Sequence, residues 1–517
     1  MTGQHGLGES FSRRRLLALG GGVGLLALAG CSTTSASSTS SAGASGASVG
    51  AAGSAAASPT ATVSTLKAGT YKATFGSGAS AAGGAGGAGG GAGGAAPSGM
   101  PSGAEPSGAA PSGGAPGGTG GGAGGAAPSG GKPSGSAPSA MPSGSAGAGG
   151  GQGGGAGSGQ GGGGGQGGSV TQLLSGAYLV NGVKATIDGG TWTSTKADQN
   201  VFLVVNGGSL TLTNATIVKS GNSSNEDACN FYGLNSAVLV VGKGSTATMT
   251  GCTVKTAAEG SNAVFAASSG KVTIDGITIS TTKGSSRGLD GTYSGQITAS
   301  DVDITTKGQH CACLATDRGA AVITVTGDST LSSAGNGSPL VYSTGDISVT
   351  GATGTATGAG TMVIEGKNQI AITDCTFTST ASTGMMIYQS FSGDAADSDA
   401  TASKSSMTIK NSTVTANGTE PMIYVTNTNC QVNVSSSRLV HKFSTALLSL
   451  AKDQWGTSGS NGGHAAVTFS GCTLTGAMSA DSISKATVAL KNGTKVTGSK
   501  VSGSVTVTKD STSSLAA

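Results

Sequence analysis

Short stretches in which apolar and polar residues alternate recur along the chain from about residue 170 onwards. KATIDGGTW, VTIDGITIS and IAITDCTFT are three of them, and each has a polar or Gly corner after its first strand. Alternation with a period of two over four to eight residues predicts β-strands with one buried face. Twelve such units align on one apolar anchor each, which are Ile187, Leu212, Met249, Ile274, Ala299, Val325, Val349, Ile372, Ile409, Val434, Phe469 and Val488.

The intervals between these anchors are close to 25 residues, and three of them are about a dozen residues longer. A regular interval of this length is typical of a solenoid whose coils stack on one another. Positions two before, at, three after and five after the anchor are almost all apolar or small, so these side chains are predicted to point into the core. Three cysteines share the position three after the anchor and are predicted to be buried thiols that fill the core, because they lie on non-adjacent coils: Cys252, Cys375 and Cys472.

Over residues 170–505 this pattern resembles the right-handed parallel β-helix of the pectate-lyase-like superfamily and of many bacterial surface proteins. The resemblance implies an all-β, right-handed solenoid of about twelve coils, in which each strand pairs with the next coil at about 4.8 Å. We therefore predict a β-helix domain at 169–505 and a flexible polar tail at 506–517.

A second apolar landmark precedes each anchor by about ten residues, and both faces of its strand are apolar in most units. LDGTY is an exception, because it places Asp290 in the outward column that is otherwise held by Val204, Val240, Phe265, Ala315, Val341 and Val363. Asp317 and Glu365 share the parity of Asp290, two residues further along the strand. Polar and aromatic residues from SSRGLDGTYSG and GQHCACLATDRG flank the two aspartates: Arg287, Tyr293, His310 and Arg318.

Three interpretations of this cluster are open. Asp290, Asp317 and Arg318 could perform acid/base catalysis on a glycosidic bond, since β-helix lyases and hydrolases carry their sites on an outer strand face. The same residues could bind a ligand without catalysis. Arg–Asp pairs between adjacent coils could instead hold the solenoid in register. The sequence lacks the clustered aspartates and paired acidic dipeptides usual in the enzymes of this fold, which disfavours catalysis.

Tyrosines follow the same landmark in three later units. Tyr342, Tyr388 and Tyr424 lie in LVYST, MIYQS and MIYVT. Exposed, they would form a ladder that stacks on sugar rings, and pointing inward they would belong to the core. Trp455 lies in an inserted Gly/Ser-rich loop, where it is either a glycan or partner contact or a plug over the coil.

Metal binding has little support in the sequence. The insertion at 389–405 holds three aspartates that offer oxygens suited to Ca²⁺, Asp394, Asp397 and Asp399, but their spacing does not match an EF-hand loop. A solvated surface loop is the alternative. The CxC at 311–313 has no partner pair, which makes it a weak metal signal, and the disulfide pairing of the less regular cysteines stays open. We predict no cofactor, with Ca²⁺ as the single weak candidate.

The composition changes sharply before residue 169. Of the 517 residues 97 are Gly, and they are concentrated in a Gly/Ala/Ser/Pro tract within 32–168. Such a tract buries too little apolar surface to offset its ordering entropy, so a disordered linker is predicted. Within it, LKAGTYKATF at 66–75 is a β-like stretch that could cap the first coil. From residue 169 onwards basic and acidic residues balance, so no nucleic-acid partner is predicted.

The N-terminus has the features of an export signal. Residues 12–31 read SRRRLLALGGGVGLLALAGC, an Arg-rich segment followed by an apolar stretch and a small-residue site. SRRRLL resembles the twin-arginine export motif and LAGC resembles a bacterial lipobox, which implies a signal peptide at 1–31 and a lipid on Cys31. The resemblance places the protein at the extracellular face of the cytoplasmic membrane, held there by that lipid. An ordinary cleaved signal peptide is the alternative.

These features together indicate a lipid-anchored extracellular β-helix protein. Its resemblance to adhesin-like surface lipoproteins implies that it binds polysaccharide or a cell surface. The rival hypothesis is a polysaccharide lyase or glycoside hydrolase that uses Asp290, Asp317 and Arg318, with sugar contacts from Tyr293 and Tyr342. A structural envelope spacer is the third hypothesis. The absence of a recognised catalytic motif favours binding, and fold analogy does not separate the three.

Overall fold

The computed structural model describes residues 62–63, 65–76, 169–380, 382–390, 404–453, 455 and 461–517. The predicted signal peptide with Cys31, most of the Gly/Ala/Ser/Pro tract and the three aspartates Asp394, Asp397 and Asp399 lie outside these residues. The described part of the chain is an all-β, right-handed parallel solenoid of about 12 turns. This confirms the predicted fold class.

Each full coil supplies one strand to each of three faces, in the order sheet A, sheet C and sheet B, with strands numbered in chain order. The fourteen strands of sheet A are Thr62–Val63 (β1), Lys184–Asp188 (β4), Ser209–Thr213 (β7), Thr246–Thr250 (β10), Lys271–Asp275 (β13), Gln296–Ser300 (β16), Val322–Thr326 (β19), Asp346–Thr350 (β22), Gln369–Thr373 (β25), Ser405–Lys410 (β28), Thr428–Ser435 (β31), Gly463–Ser470 (β34), Lys485–Lys491 (β37) and Val505–Lys509 (β40).

Sheet B also has fourteen strands, which are Gly69–Phe75 (β2), Val170–Asn181 (β3), Gln199–Val205 (β6), Val238–Val241 (β9), Val264–Ala267 (β12), Leu289–Thr292 (β15), Leu314–Arg318 (β18), Val341–Ser343 (β21), Met362–Glu365 (β24), Met385–Tyr388 (β27), Ile423–Thr426 (β30), Ala446–Leu450 (β33), Ala477–Ala480 (β36) and Val501–Ser502 (β39). A short helix, Glu226–Tyr232 (α1), lies in the insertion before β9.

The third face is divided into two sheets. The ten strands of sheet C are Thr191–Ser194 (β5), Thr216–Lys219 (β8), Thr253–Thr256 (β11), Thr278–Thr281 (β14), Asp303–Thr306 (β17), Thr330–Ser333 (β20), Thr353–Ala356 (β23), Thr376–Ser379 (β26), Thr413–Ala416 (β29) and Arg438–His441 (β32). The three strands of sheet D are Thr473–Thr475 (β35), Lys495–Thr497 (β38) and Ser514–Leu515 (β41).

The core lies between the three faces and follows the predicted anchors. In sheet A the first eleven anchors pair directly with one another from coil to coil. In the last unit, however, Phe469 pairs with Leu490, and the predicted anchor Val488 pairs with Val467. Side chains two residues apart on a strand point the same way, so the inward pattern alone did not reveal this shift. Full burial of each such side chain contributes roughly 1.5–3 kcal/mol.

Sheets A and C are joined in most coils by a turn that contains one residue with a left-handed backbone. Asn214 (φ 54°), Gly251 (φ 62°) and Asp301 (φ 53°) occupy this position in three coils. Gly, Asn and Asp tolerate such a φ, which explains the Gly, Asn and Asp corners of the repeat. The amide of Asn214 donates to the carbonyl of Thr250 and that of Gly251 to the carbonyl of Asp275, so the turns also stack from coil to coil.

The cysteines at the shared inward position are buried in the core, as predicted. Cys252, Cys375 and Cys472 are all unpaired thiols with almost no exposed surface. The other four cysteines of the described residues, Cys229, Cys311, Cys313 and Cys430, are also buried and free. None of the seven thiols therefore contributes a disulfide to this part of the chain.

The outer faces of sheets A and C are open to solvent and rich in hydroxyl groups. Thr248, Thr273 and Thr298 form an exposed column on three adjacent strands of sheet A. Thr353 and Thr376 are exposed neighbours on sheet C. Outward Thr suits a half-buried pleated surface, and the exposed Thr column of sheet A spans three adjacent coils.

A hairpin closes the N-terminal end of the solenoid. Strand β1 pairs with β4, and β2 pairs antiparallel with β3, so that Phe75 lies opposite Val170. The β-like stretch at 66–75 therefore contains a strand of sheet B. The chain between Phe75 and Val170 leaves and re-enters the fold at neighbouring residues.

The solenoid continues past residue 505 at the C-terminal end, where a flexible tail was expected from 506. Strand β40 pairs with β37, and β41 pairs with β38. Val505, Val507 and Leu515 pack against the core. Most residues of this segment are polar, so the short alternation with inward-pointing Val505 and Val507 was not recognised as a strand in the sequence.

Candidate functional site

The outer face of sheet B is covered at its N-terminal end. Phe75 from the hairpin lies 4.9 Å, between ring centroids, from Tyr232 of α1 and 5.6 Å from Tyr293. Beneath these rings lies an apolar cluster on the outer side of the sheet, which includes Leu239 and Phe265. The apolar outer face that the sequence indicated is thus buried by the chain's own hairpin and helix.

Helix α1 begins and ends at recognisable capping residues. The Asn225 side chain accepts a hydrogen bond from the Ala228 amide at 2.9 Å, and Glu226 and Asp227 occupy the first turn. Gly233 ends the helix with φ 70°, and a Cβ on it would lie 2.5 Å from the Leu239 side chain. The helix end is therefore fixed tightly against the sheet.

Three ionisable side chains lie beneath α1. Nη2 of Arg287 is 3.0 Å and 3.1 Å from the two carboxylate oxygens of Asp317, and Nη1 is 3.7 Å from Oδ2 of Asp290. Nη1 also donates to the side-chain oxygen of Asn230 on α1. The exposed fractions of Asp290, Asp317 and Arg287 are 0%, 5% and 4%, so the cluster is sealed from solvent.

One guanidinium shared by two buried carboxyl groups sets the electrostatics of this cluster. Burial, and then the neighbouring Asp317, raise the pKa of Asp290 well above its usual range, although Arg287 opposes this. Burial disfavours the charge on Arg287, but Asp317 and then Asp290 outweigh it and raise the guanidinium pKa. A raised carboxyl pKa beside a second carboxyl is a feature of acid/base sites, and it also occurs in structural ion-pair networks.

Two residues that flank the cluster, Arg318 and Tyr293, contact helix α1 above it. The guanidinium carbon of Arg318 lies 3.8 Å from the ring centroid of Phe231 on α1. The Tyr293 ring stacks on that of Tyr232 at 6.1 Å, and its backbone has a φ of 48°. Burial raises the pKa of Tyr293 to about 12. His310 is half-buried, and burial, followed by the charge of Arg287, lowers its pKa.

A second polar cluster surrounds Glu365 on the same face. Its carboxylate accepts hydrogen bonds from the hydroxyl groups of Tyr342, Tyr388 and Ser390, with Tyr388 at 2.7 Å. Burial, and then Glu365, raise the pKa of Tyr342 well above its usual range. The Trp455 ring lies 4.9 Å from that of Tyr388. Trp455 is itself buried, so it covers the coil.

The three tyrosines are all buried. Tyr424 donates to Oδ2 of Asp453 at 2.7 Å, and burial followed by this partner raises its pKa. Tyr342 and Tyr424 lie in the column of Asp290, whereas Tyr388 lies two residues further along, level with Glu365. The exposed tyrosine ladder, one of the two alternatives from the sequence, does not occur in this arrangement.

The composition of the Asp290 column also differs from the expected one. Phe265, Ala315 and Val363 belong to it as predicted, but Leu203, Leu239 and Tyr342 occupy the places expected for Val204, Val240 and Val341. Val204, Val240 and Val341 instead point into the central core. Because both faces of these strands are apolar, alternation could not distinguish the two parities.

The structure brings the predicted residues into two groups. Asp290, Asp317 and Arg287 are in contact, with Arg318 beside them, and Glu365 contacts Tyr342 and Tyr388. The sequence reasoning missed the covering residues Asn230 and Phe231, although the Asn225 cap and Gly233 are signals for a helix. It also missed the partners Ser390 and Asp453, which carry no sequence signal. The catalytic and binding roles predicted for these residues stay predictions.

The described residues offer neither a metal cluster nor a membrane-spanning helix. No group of three or more His, Cys, Asp or Glu side chains is placed there to hold a metal ion. Within the same part of the chain, no helix combines the length and apolar character needed to cross a membrane. The chain matches no known family model, no curated protein and no solved structure.

Proposed function

We propose that this chain is a lipid-anchored extracellular β-solenoid that binds polysaccharide or a cell surface. The export signal and the lipobox-like LAGC support the anchor. The rigid stack of about 12 turns supports a role in which one long surface meets an extended ligand.

One observation carries the preference for binding over catalysis. The carboxyl groups that would act as acid and base lie under α1, with 0% of Asp290 exposed. A general acid or base must come within hydrogen-bond reach of the reacting group, and a polymer cannot do so while the cover is in place. The outer faces of sheets A and C, in contrast, present exposed hydroxyl groups on successive coils.

A binding screen tests this proposal. The full chain with Cys31→Ala, which removes the predicted lipid acceptor, is assayed against a panel of neutral and acidic polysaccharides and whole bacterial cells. Saturable binding without release of cleavage products is expected. Failure to bind any glycan or cell would refute the proposal and favour the envelope-spacer hypothesis.

A hydrolase or lyase is the second candidate, since the raised pKa of Asp290 beside Asp317 would suit a general acid. The isosteric double variant Asp290→Asn/Asp317→Asn separates the two candidates. Cleavage products that disappear in this variant, while the β-sheet signal in circular dichroism persists, would establish the enzyme. Glycan binding that is unchanged in the variant would leave the cluster with a structural role.

The membrane anchor has its own test. Wild-type chain produced in a bacterium with twin-arginine export is expected in the membrane fraction, and Cys31→Ala is expected in the soluble extracellular fraction. The matched control Cys430→Ala removes a thiol from the solenoid core and should stay with the membrane. Equal fractionation of all three proteins would contradict the lipid on Cys31.

A further inference from the structure

The third face of the solenoid is open at one place. Strand β32 ends sheet C, and β35 of the next coil begins sheet D. Sheets A and B run unbroken past this point, through the pairs β31–β34 and β33–β36. Between β32 and β35 lies a groove of about 1020 Å³, lined by Ser436, Ser437, Arg438, Leu439, Val440, His441, Ser444, Thr445, Gly471, Thr473, Thr475, Gly476 and Gly498.

The side chain of His441 occupies the place where β32 and β35 would otherwise pair. One ring nitrogen, Nδ1, contacts the carbonyl oxygen of Ser444, and Nε2 lies 2.6 Å from that of Thr475. Gly476 has a φ of 124°, and a Cβ on it would lie 2.8 Å from Nε2 of His441. The ring therefore depends on a glycine opposite it, and the opening is a specific feature of these two coils.

The groove is basic. Its lining includes the guanidinium of Arg438 and no Asp or Glu. Lys442 follows directly, and Lys495 is the strand neighbour of Thr473. Arg438, Lys442 and Lys495 are all exposed. A concave surface lined by one sign of charge favours a ligand of the opposite sign.

An exposed aromatic residue, Phe443, lies in the sequence between two residues that line the groove, His441 and Ser444. Phe443 is 63% exposed, and Nζ of Lys442 lies 5.1 Å from its ring centroid. Hydroxyl groups of Ser436, Thr473 and other lining residues provide hydrogen-bond partners. Hydroxyl groups and a guanidinium in the groove, with an exposed aromatic residue next to the lining residues in the chain, suit a polar ring that carries an acid group.

We infer that this groove binds a polysaccharide whose sugars carry carboxylate groups. Arg438 pairs with a carboxylate through two N–H donors, and Phe443 stacks on the C–H face of a sugar ring. Lys442 and Lys495 attract further carboxylates along the polymer. The inference rests on the proposed function and adds the ligand class and the place of contact.

Polygalacturonate serves as the probe, and its fully methyl-esterified form is the neutral control with the same backbone. Binding to the full chain with Cys31→Ala is measured by titration calorimetry at two salt concentrations. Arg438→Gln and Phe443→Ala are each expected to weaken polygalacturonate binding about tenfold or more. Two variants serve as matched controls: Lys255→Gln removes an exposed charge from the same sheet, and Leu173→Ala truncates a side chain that is 64% exposed.

The outcomes separate this inference from the proposed function. If Arg438→Gln and Phe443→Ala leave polygalacturonate binding intact, the groove is not the binding site. The proposed glycan binding itself would still stand. Binding of neutral glycans alone would overturn the ligand class. Equal binding of poly-glutamate or anionic phospholipid vesicles would also overturn it, because the groove would then recognise charge without the sugar. Absence of any glycan binding would refute the proposed function together with the inference.

Discussion

Removal of the buried guanidinium of Arg287 is the most informative perturbation of the covered face. Arg287→Met keeps the apolar part of the side chain and leaves Asp290 and Asp317 without their cation. The breaking of a buried ion pair costs about 3–5 kcal/mol, because the remaining charge stays buried. This cost falls if a buried carboxylate takes up a proton. The decrease in the free energy of unfolding should therefore depend on pH.

The size of this destabilisation follows from a proton. Without the Arg287 guanidinium, the buried Asp317 carboxylate must take up a proton in the folded state. An aspartate in the unfolded chain titrates near pH 4, and each pH unit above that value adds about 1.4 kcal/mol to the cost of a retained proton. The expected loss for Arg287→Met is therefore about 4 kcal/mol at pH 7 and about 1.5 kcal/mol at pH 5. Replacement of Arg287, Asp290 and Asp317 together by apolar residues should recover most of the lost stability.

Native-state hydrogen exchange of the amides in β15 and β18 is the suitable assay, because a solenoid opens coil by coil and need not unfold in one step. Lys283→Met, on the same coil, removes an equal charge from an exposed position and should change the opening free energy by less than about 0.5 kcal/mol. A loss for Arg287→Met that is the same at pH 5 and pH 7, or no larger than that of the control, would refute the electrostatic account.

Three further predictions concern Asp290, the thiols and the hairpin. Because the folded pKa of Asp290 is raised, its contribution to stability is fully present below pH 4 and is lost as pH rises towards that pKa. Asp290→Asn should therefore match the wild type only below about pH 4 and melt at a higher temperature at pH 8, and a lower melting temperature at pH 8 would contradict this. Burial raises the pKa of the Cys229, Cys311, Cys313 and Cys430 thiols to about 12, so iodoacetamide at pH 8 should label none of them in the folded protein and all of them in guanidinium, as mass spectrometry would show. Replacement of residues 77–168 by a short Gly/Ser turn should raise the stability of the β2–β3 hairpin by about 2 kcal/mol, because a shorter loop loses less entropy on closure, and unchanged exchange rates in β2 would disprove this.

The sequence predicted sheets A and C well because their strands have one apolar and one polar face. The anchor column from Ile187 to Phe469 and the Gly, Asn and Asp corners are direct consequences of that asymmetry. Sheet B is apolar on both faces, so the alternation carried no information on parity, and Val204 and Val341 were assigned to the wrong side.

Helix α1 and the β2–β3 hairpin, which cover the candidate site, could not be predicted from the alternation of apolar and polar residues for a different reason. Helix α1 has seven residues, which are too few to show a helical period. Only its capping residues indicate a helix in the sequence. The contacts of Phe75 with Tyr232 and Tyr293 join residues far apart in the chain, and such contacts leave no trace in local sequence. Whether a surface residue was open or covered therefore depended on the tertiary structure.

The β2–β3 hairpin has a mechanical consequence if the chain is anchored through Cys31, as we propose. Tension from Cys31 would first load strand β1 on β4 and then β2 at Gly69, whose partner Gly176 of β3 lies at the same end of the hairpin. This geometry loads the hydrogen bonds one after another. While the hairpin holds, the 30 residues from 32 to 61 span at most about 100 Å, and its rupture would release the 94 residues from 76 to 169, up to about 310 Å more. In that case the Gly/Ala/Ser/Pro tract would serve as a reserve of length that extends the attachment only under load.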